Sequence, residues 1–129
     1  CADCHSTAVR KNYQPADDSF ATEFAEISVG CEACHGPGSL HVKQPNNVPL
    51  PGLNTADQQL NACARCHSRR GQLAEGFKPE HNYLDYYLPS LLDEGLYHAD
   101  GQILDEVFVY GSFVQSKMHG AGVASTNCP

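Results

Sequence analysis

"CEACHGPGSLH", residues 31–41, brings two cysteines, two histidines and a Gly-Pro-Gly turn into one short stretch. Its first five residues are one copy of a repeated form, because "CADCH" (1–5) and "CARCH" (63–67) share the pattern Cys-x-x-Cys-His. With 7 Cys and 7 His in 129 residues, chance gives roughly 0.02 such copies. Three chemistries use paired cysteines and histidine: a zinc site, a thiol–disulfide pair and a covalently attached haem.

Zinc ribbons close one tetrahedral site with two Cys-x-x-Cys pairs, so three pairs leave one over. The gaps between pairs, 26 and 28 residues, are longer than ribbon spacing, and zinc gives no reason for a His after every second Cys. Thioredoxin-like chemistry needs one pair on a βαβ scaffold, which this loop-rich chain does not suggest. Covalent haem explains the whole pentapeptide. Two thiols on one turn of chain reach the two vinyl groups of one porphyrin, and the adjacent imidazole then sits under the iron. The tethers are Cys1 and Cys4, Cys31 and Cys34, and Cys63 and Cys66; the proximal ligands are His5, His35 and His67.

Composition agrees with this reading. Hydrophobic residues make up 41% of the chain, but no window approaches a membrane span, so a membrane-spanning segment is not expected. A net charge of -7 would repel a phosphate backbone, which argues against nucleic-acid binding. Three haem c groups would supply apolar faces that a short chain lacks. Residues 1–129 read as a single multihaem domain, mainly irregular with short α-helices and at most a short β element, organised by haem positions. Covalent attachment takes place outside the cytoplasm, which predicts a periplasmic, extracellular or cell-surface protein. The chain opens at Cys1 with no basic and apolar leader and stops at a Cys-Pro pair, which reads as a segment of a longer polypeptide.

Local patterns place the elements. "FATEFAEI" (20–27) has the Phe20, Phe24 and Ile27 spacing of an amphipathic helical stretch. "GPG" (36–38) breaks the chain after His35, and "KQPNNVPLPGLN" (43–54) reads as a long loop. "TADQ" (55–58) is a capping box with Thr55 as N-cap, opening a helix that carries the third pentapeptide to about Arg70. Pro89 and Ser90 open a helical turn ended by Gly95, "ADGQ" (99–102) is a turn, and "ILDEVFVY" (103–110) predicts one strand.

Four histidines remain for three irons: His41, His81, His98 and His119. In a haem protein a spare imidazole is the natural distal ligand, with Met118, the one methionine, as competitor. His41 follows His35 too closely to reach the far face of the same haem and is assigned to a neighbouring one. Six of the eight basic residues lie in or near a pentapeptide. Of these, Arg65, Arg69, Arg70 and Arg10 are candidate propionate partners, since a guanidinium fork matches a carboxylate. The tyrosines at 83, 86, 87, 97 and 110 read as packing around the rings.

The segments "CADCHSTAVRKNY", "ISVGCEACHGPGSLHV", "CARCHSRRGQL" and "LLDEGLYHADGQILDEVFVYGSFVQSKMHGAGV" resemble the multihaem c-type cytochromes with doubled Cys-x-x-Cys-His motifs, some members of which are fused to tetratricopeptide repeats. The resemblance implies electron transfer through stacked haems, and further haem motifs on both sides. After "GAGV" the family pattern places another motif; here Ser125 stands at its first Cys, Cys128 at its second and Pro129 at its His. A fourth haem is lost in that register and kept if Cys128 begins a new motif.

Two classes of function follow. An electron-transfer module would have every iron six-coordinate, exchanging electrons with other redox proteins or with further copies of itself in a filament. A multihaem oxidoreductase acting on a small nitrogen or sulfur compound would leave one iron open. The ligand count favours transfer, and no catalytic residue is assigned.

Overall fold

The computed structural model describes residues 1–48, 53–90, 92–106 and 108–123. Short helices dominate: α1 (Ala2–His5), α2 (Cys31–His35), α3 (Ser39–Lys43), α4 (Ala56–His67), α5 (Tyr110–Val114) and α6 (Lys117–Gly120). Strands β1 (Tyr13–Gln14) and β2 (Ser19–Phe20) pair antiparallel, as do β3 (Arg70–Gln72) and β4 (Tyr87–Pro89). The mainly irregular fold class read from the sequence holds.

The capping box forms in full. Thr55 Oγ1 accepts the Gln58 N–H at 3.2 Å, and Gln58 Oε1 accepts the Thr55 N–H at 3.2 Å. Two orphan donors are thereby satisfied at the start of the longest helix. That helix ends at His67 instead of about Arg70, because Arg70 enters β3 opposite Pro89.

Three local expectations are corrected. Residues 20–27 are extended, not helical: Glu23 exchanges two backbone hydrogen bonds of 2.9 Å with Arg10, and Thr7 bonds to both Ala25 and Glu26. Pairing with the segment after the first pentapeptide overrides the helical spacing, leaving Phe24 and Ile27 exposed. Pro89 closes β4 instead of opening a helical turn, and the Ser90 N–H extends that ladder to the Arg69 carbonyl at 2.8 Å. Across 103–110 there is no strand among the described residues: Ile103 forms an isolated bridge with Tyr97, and Tyr110 starts α5. The expected loop at 43–54 begins one residue late, since Lys43 ends α3. Residues Ser125, Cys128 and Pro129, on which the fourth-haem register turns, lie outside the described residues.

The apolar core is small. Among the described residues the buried hydrophobics are Ala62, Ala64, Tyr83, Tyr87 and Tyr97. Tyr83 and Tyr87 stack at 5.3 Å, with Phe77, Tyr86 and Tyr110 packed around them. The Tyr83 hydroxyl and Ser68 Oγ share a buried hydrogen bond of 2.7 Å, and Ser68 Oγ donates to the Ala64 carbonyl at 2.6 Å. This tyrosine cluster sits against the helix that carries the third pentapeptide. Outside it, side chains such as Phe20, Phe24, Ile27, Val29, Leu40 and Phe108 stand exposed. The polypeptide presents 8672 Å² to solvent, whereas a globular protein of 14.0 kDa exposes roughly 6,700 Å². A chain with so little core and so much apolar surface is shaped to cover flat apolar groups.

Candidate haem-binding site

Each pentapeptide occupies one helical turn, which puts its two sulfurs on one side of the chain and its histidine at the helix end. Cys1 is the N-cap of α1 and His5 its last residue; α2 runs from Cys31 to His35; Cys63 to His67 form the last turn of α4. Helix α2 is stopped by Gly36 at φ +68, a conformation that glycine adopts at no steric cost. Glu32 fixes the exit by accepting the Gly38 N–H at 2.7 Å.

A groove of about 760 Å³ opens beside the first pentapeptide, with Cys1 and Cys4 in its wall. Val9, Phe20 and Phe108 give it apolar surface; Lys11, Arg69 and Arg70 line it as well. Two thiols, an apolar wall and cations in one concavity match a ring that is apolar on its faces and carboxylated at one edge. A second cleft, of about 210 Å³, touches the second pentapeptide at Glu32 and Ala33 and the third at Arg65, with Asp3, Phe77 and Tyr87 also in its wall. Among the described residues, no three His, Cys, Asp or Glu side chains converge as a metal site would need.

The pentapeptides are tied to each other. Thr7, two residues past the first, donates its hydroxyl to the Ser28 carbonyl at 2.7 Å and accepts the Gly30 N–H at 3.1 Å, just before the second. Asp3, inside the first, pairs with Arg65, inside the third, at 3.7 Å, and with Arg70. The Cys4 and Cys66 thiols are also hydrogen-bonded, and burial, with the Cys4 thiol adding to it, pushes the Cys66 pKa up to about 11. Cys66 is therefore a neutral thiol at pH 7 before any attachment. Desolvation of Arg70 is outweighed by its hydrogen bond and charge contact with Asp3, so its pKa is raised.

The candidate distal ligands differ in setting. His41, half-buried on α3, has Nδ1 2.6 Å from the Val48 carbonyl oxygen. A proton on Nδ1 donated to that carbonyl leaves the Nε2 lone pair for a metal, the usual way a ligand imidazole is oriented. His81 stacks on Tyr86 at 5.2 Å, lies edge-on to Phe77, and keeps a buried Nδ1 without a hydrogen-bond partner. His119, on α6, packs edge-on against Phe113 at 5.5 Å. His98 is exposed in a turn, its N–H bonded to the Gln102 carbonyl. Met118 is 58% exposed.

The four arginines separate too. Arg65 and Arg70 are committed to Asp3, Arg69 reaches Asp105 at 3.3 Å while lining the groove, and exposed Arg10 contributes backbone bonds to Glu23. Asp3 and Thr7 were not singled out in the sequence. Asp3 had a readable signal: it holds the same variable position in the first pentapeptide that Arg65 holds in the third, with opposite charge.

The family described as cytochrome c554 and c-prime matches residues 1–36. A solved structure, that of the outer cell wall cytochrome OcwA, superposes with a TM-score of 0.59 at 27% sequence identity, covering 78% of this chain and 24% of OcwA. Both likenesses point to the multihaem c-type cytochromes. No curated protein matches it at a significant level. Such cytochromes hold haem c covalently, a cofactor that the groove, the paired thiols and the exposed apolar side chains all fit. The match spans 24% of OcwA's own length, and no helix among the described residues of this chain is long and apolar enough to cross a membrane.

Proposed function

We propose that this cytochrome passes electrons along three covalently held haems at the cell exterior. The observation that carries the reading is the linkage of the three pentapeptides, the first to the third directly through Asp3 and the first to the second through the flanking residue Thr7. Bound haem supplies an iron that changes oxidation state with little structural change. The chain's own part is to fix the rings at short separation and to cover their faces. Cys1, Cys4, Cys31, Cys34, Cys63 and Cys66 hold them; His5, His35 and His67 ligate from below, with His41, His81, His98 and His119 as the distal set. Arg69, beside Lys11 in the groove wall, is placed to meet a propionate. The likeness to a cytochrome described as belonging to the outer cell wall supports the extracellular setting.

Four distal histidines for three irons leave one over, and we assign it, as His119 or His81, to a haem of an adjacent copy. Identical head-to-tail contacts of that kind do not close and extend into a filament. The test has two parts. The optical spectrum of purified protein should show low-spin, six-coordinate bands on three haems; high-spin features would instead support substrate turnover at an open iron. Negative-stain microscopy should then show filaments, and particles that stay discrete at every concentration would leave an ordinary carrier exchanging electrons with other redox proteins.

A further inference from the structure

The ionic link between the first and third pentapeptides differs in kind from the neutral one to the second. Arg65 Nη2 lies 3.7 Å from Asp3 Oδ1 and donates to the Asp3 carbonyl at 3.1 Å. Arg70 pairs with the other Asp3 oxygen, donates through Nε to the Arg65 carbonyl at 2.5 Å, and sets its Cζ over the Tyr87 ring, 3.9 Å from the centroid. The two guanidinium side chains are 8% and 9% exposed. A buried ionic cluster of this sort adds little net stability over an apolar one of the same shape. Its best-attested use is to fix one register against alternatives.

We propose that Asp3, Arg65 and Arg70 form a positioning clamp that seats the haems of the first and third pentapeptides against each other, so that electrons pass between them without crossing the haem of the second. This rests on the haem reading above. Cys4 and Cys66 are the second tethers of their pentapeptides, and their sulfurs are in hydrogen-bond contact. Rings attached there would meet along the edges that carry those links. In the second pentapeptide the acidic residue, Glu32, bonds instead to Gly38, and the tie to the first runs through the Thr7 hydroxyl. Order in sequence and order of electron passage would then differ.

The test uses the protein matured with haem, counting haems by mass and following the oxidised irons by electron paramagnetic resonance. In the native sequence two of the three low-spin signals are expected to be broadened by mutual coupling. Asp3→Asn should keep all three haems and raise the uncoupled signal from one haem equivalent to three, while Asp3→Glu restores the coupling. If Asp3→Asn does not mature fully, Arg70→Gln, which leaves the Arg65–Asp3 pair in place, decides on the same signal. Three retained haems with unchanged coupling in the deciding variant would overturn the clamp alone; a native protein lacking three haems would overturn the haem reading beneath it.

Discussion

The Thr7 hydroxyl lies 2.7 Å from the Ser28 carbonyl oxygen across 21 positions of chain, and closes the extended segment between the first two pentapeptides. Thr7 is 2% exposed, and the same oxygen accepts the Gly30 N–H. A Cβ added at Gly30 would meet the Glu26 carboxylate, which would have to swing aside. Thr7→Val keeps the shape and removes both bonds, leaving the Gly30 N–H only its longer bond of 3.2 Å to the Ser28 carbonyl. Such a loss costs about 1–3 kcal/mol, and each kcal/mol lowers the melting temperature of a chain this size by roughly 3–6 °C. Thermal unfolding of Thr7→Val and Thr7→Ser should separate them, with Ser close to the native midpoint. Equal midpoints for Val and native protein would remove the hydroxyl from the account.

Cys34→Ser and Cys66→Ser each take one of two tethers from one ring. Covalent retention of the matching haem should weaken or fail, while the other two stay attached. Haem staining after denaturing electrophoresis, with intact mass, reads this directly. Were denatured native protein to release all its haem into organic solvent, covalent attachment at the pentapeptides would be wrong.

The sequence carried the chemistry more fully than the fold. Three pentapeptides and the Thr55–Gln58 cap were legible because each is a local pattern with one geometric meaning. Residues 20–27 misled because their spacing suits a helix only if a partner buries that face, and the strand-like pairing of Glu23 with Arg10 is a long-range contact. The region 103–110 misled for the reverse reason. Its β-branched and aromatic residues find no neighbouring strand, and Gly111 instead lets the Tyr97 hydroxyl press against the start of α5. The tyrosines at 83 and 87 pack on each other and on Ala64, a contact that depends on where α4 lies and is invisible to periodicity.

Burial pushes the Tyr87 phenol up to about 12, with the Asp3 charge adding to the shift and the Arg70 charge opposing it; Tyr83 and Tyr110 are raised as well, chiefly by burial. In the unfolded chain these phenols ionise near their ordinary value of 10.0. Below that value the phenol is protonated in both states and its contribution to stability is whole. Above it the unfolded chain loses the proton first, so stability falls as pH rises from about 10 through the folded value. The denaturant midpoint should therefore drop across that interval, and Tyr87→Phe should flatten part of the slope. A midpoint that does not change over the interval would contradict this burial-driven shift.

Of the four candidate distal ligands, His41 is the one whose ring the structure orients by a hydrogen bond. Gly36 turns the chain out of α2, and α3 then carries His41 away from the iron that His35 would hold. The Val48 carbonyl, 2.6 Å from Nδ1, selects the tautomer whose Nε2 lone pair is open. With Nδ1 committed to that carbonyl, Nε2 is the nitrogen left to bind iron. His41→Ala should convert one haem towards high spin and leave the covalent haem count at its native value, since no tether is touched. His81→Ala provides the contrast: its ring is held by Tyr86 and Phe77 without a hydrogen bond to orient Nδ1. Under the filament reading, where His81 or His119 serves an adjacent copy, the His81→Ala spectrum should change only in assembled protein, whereas the His41→Ala spectrum changes in the isolated chain. A folded His41→Ala variant with native spectrum and potential would remove His41 from the ligand set and pass its iron to one of the other three histidines.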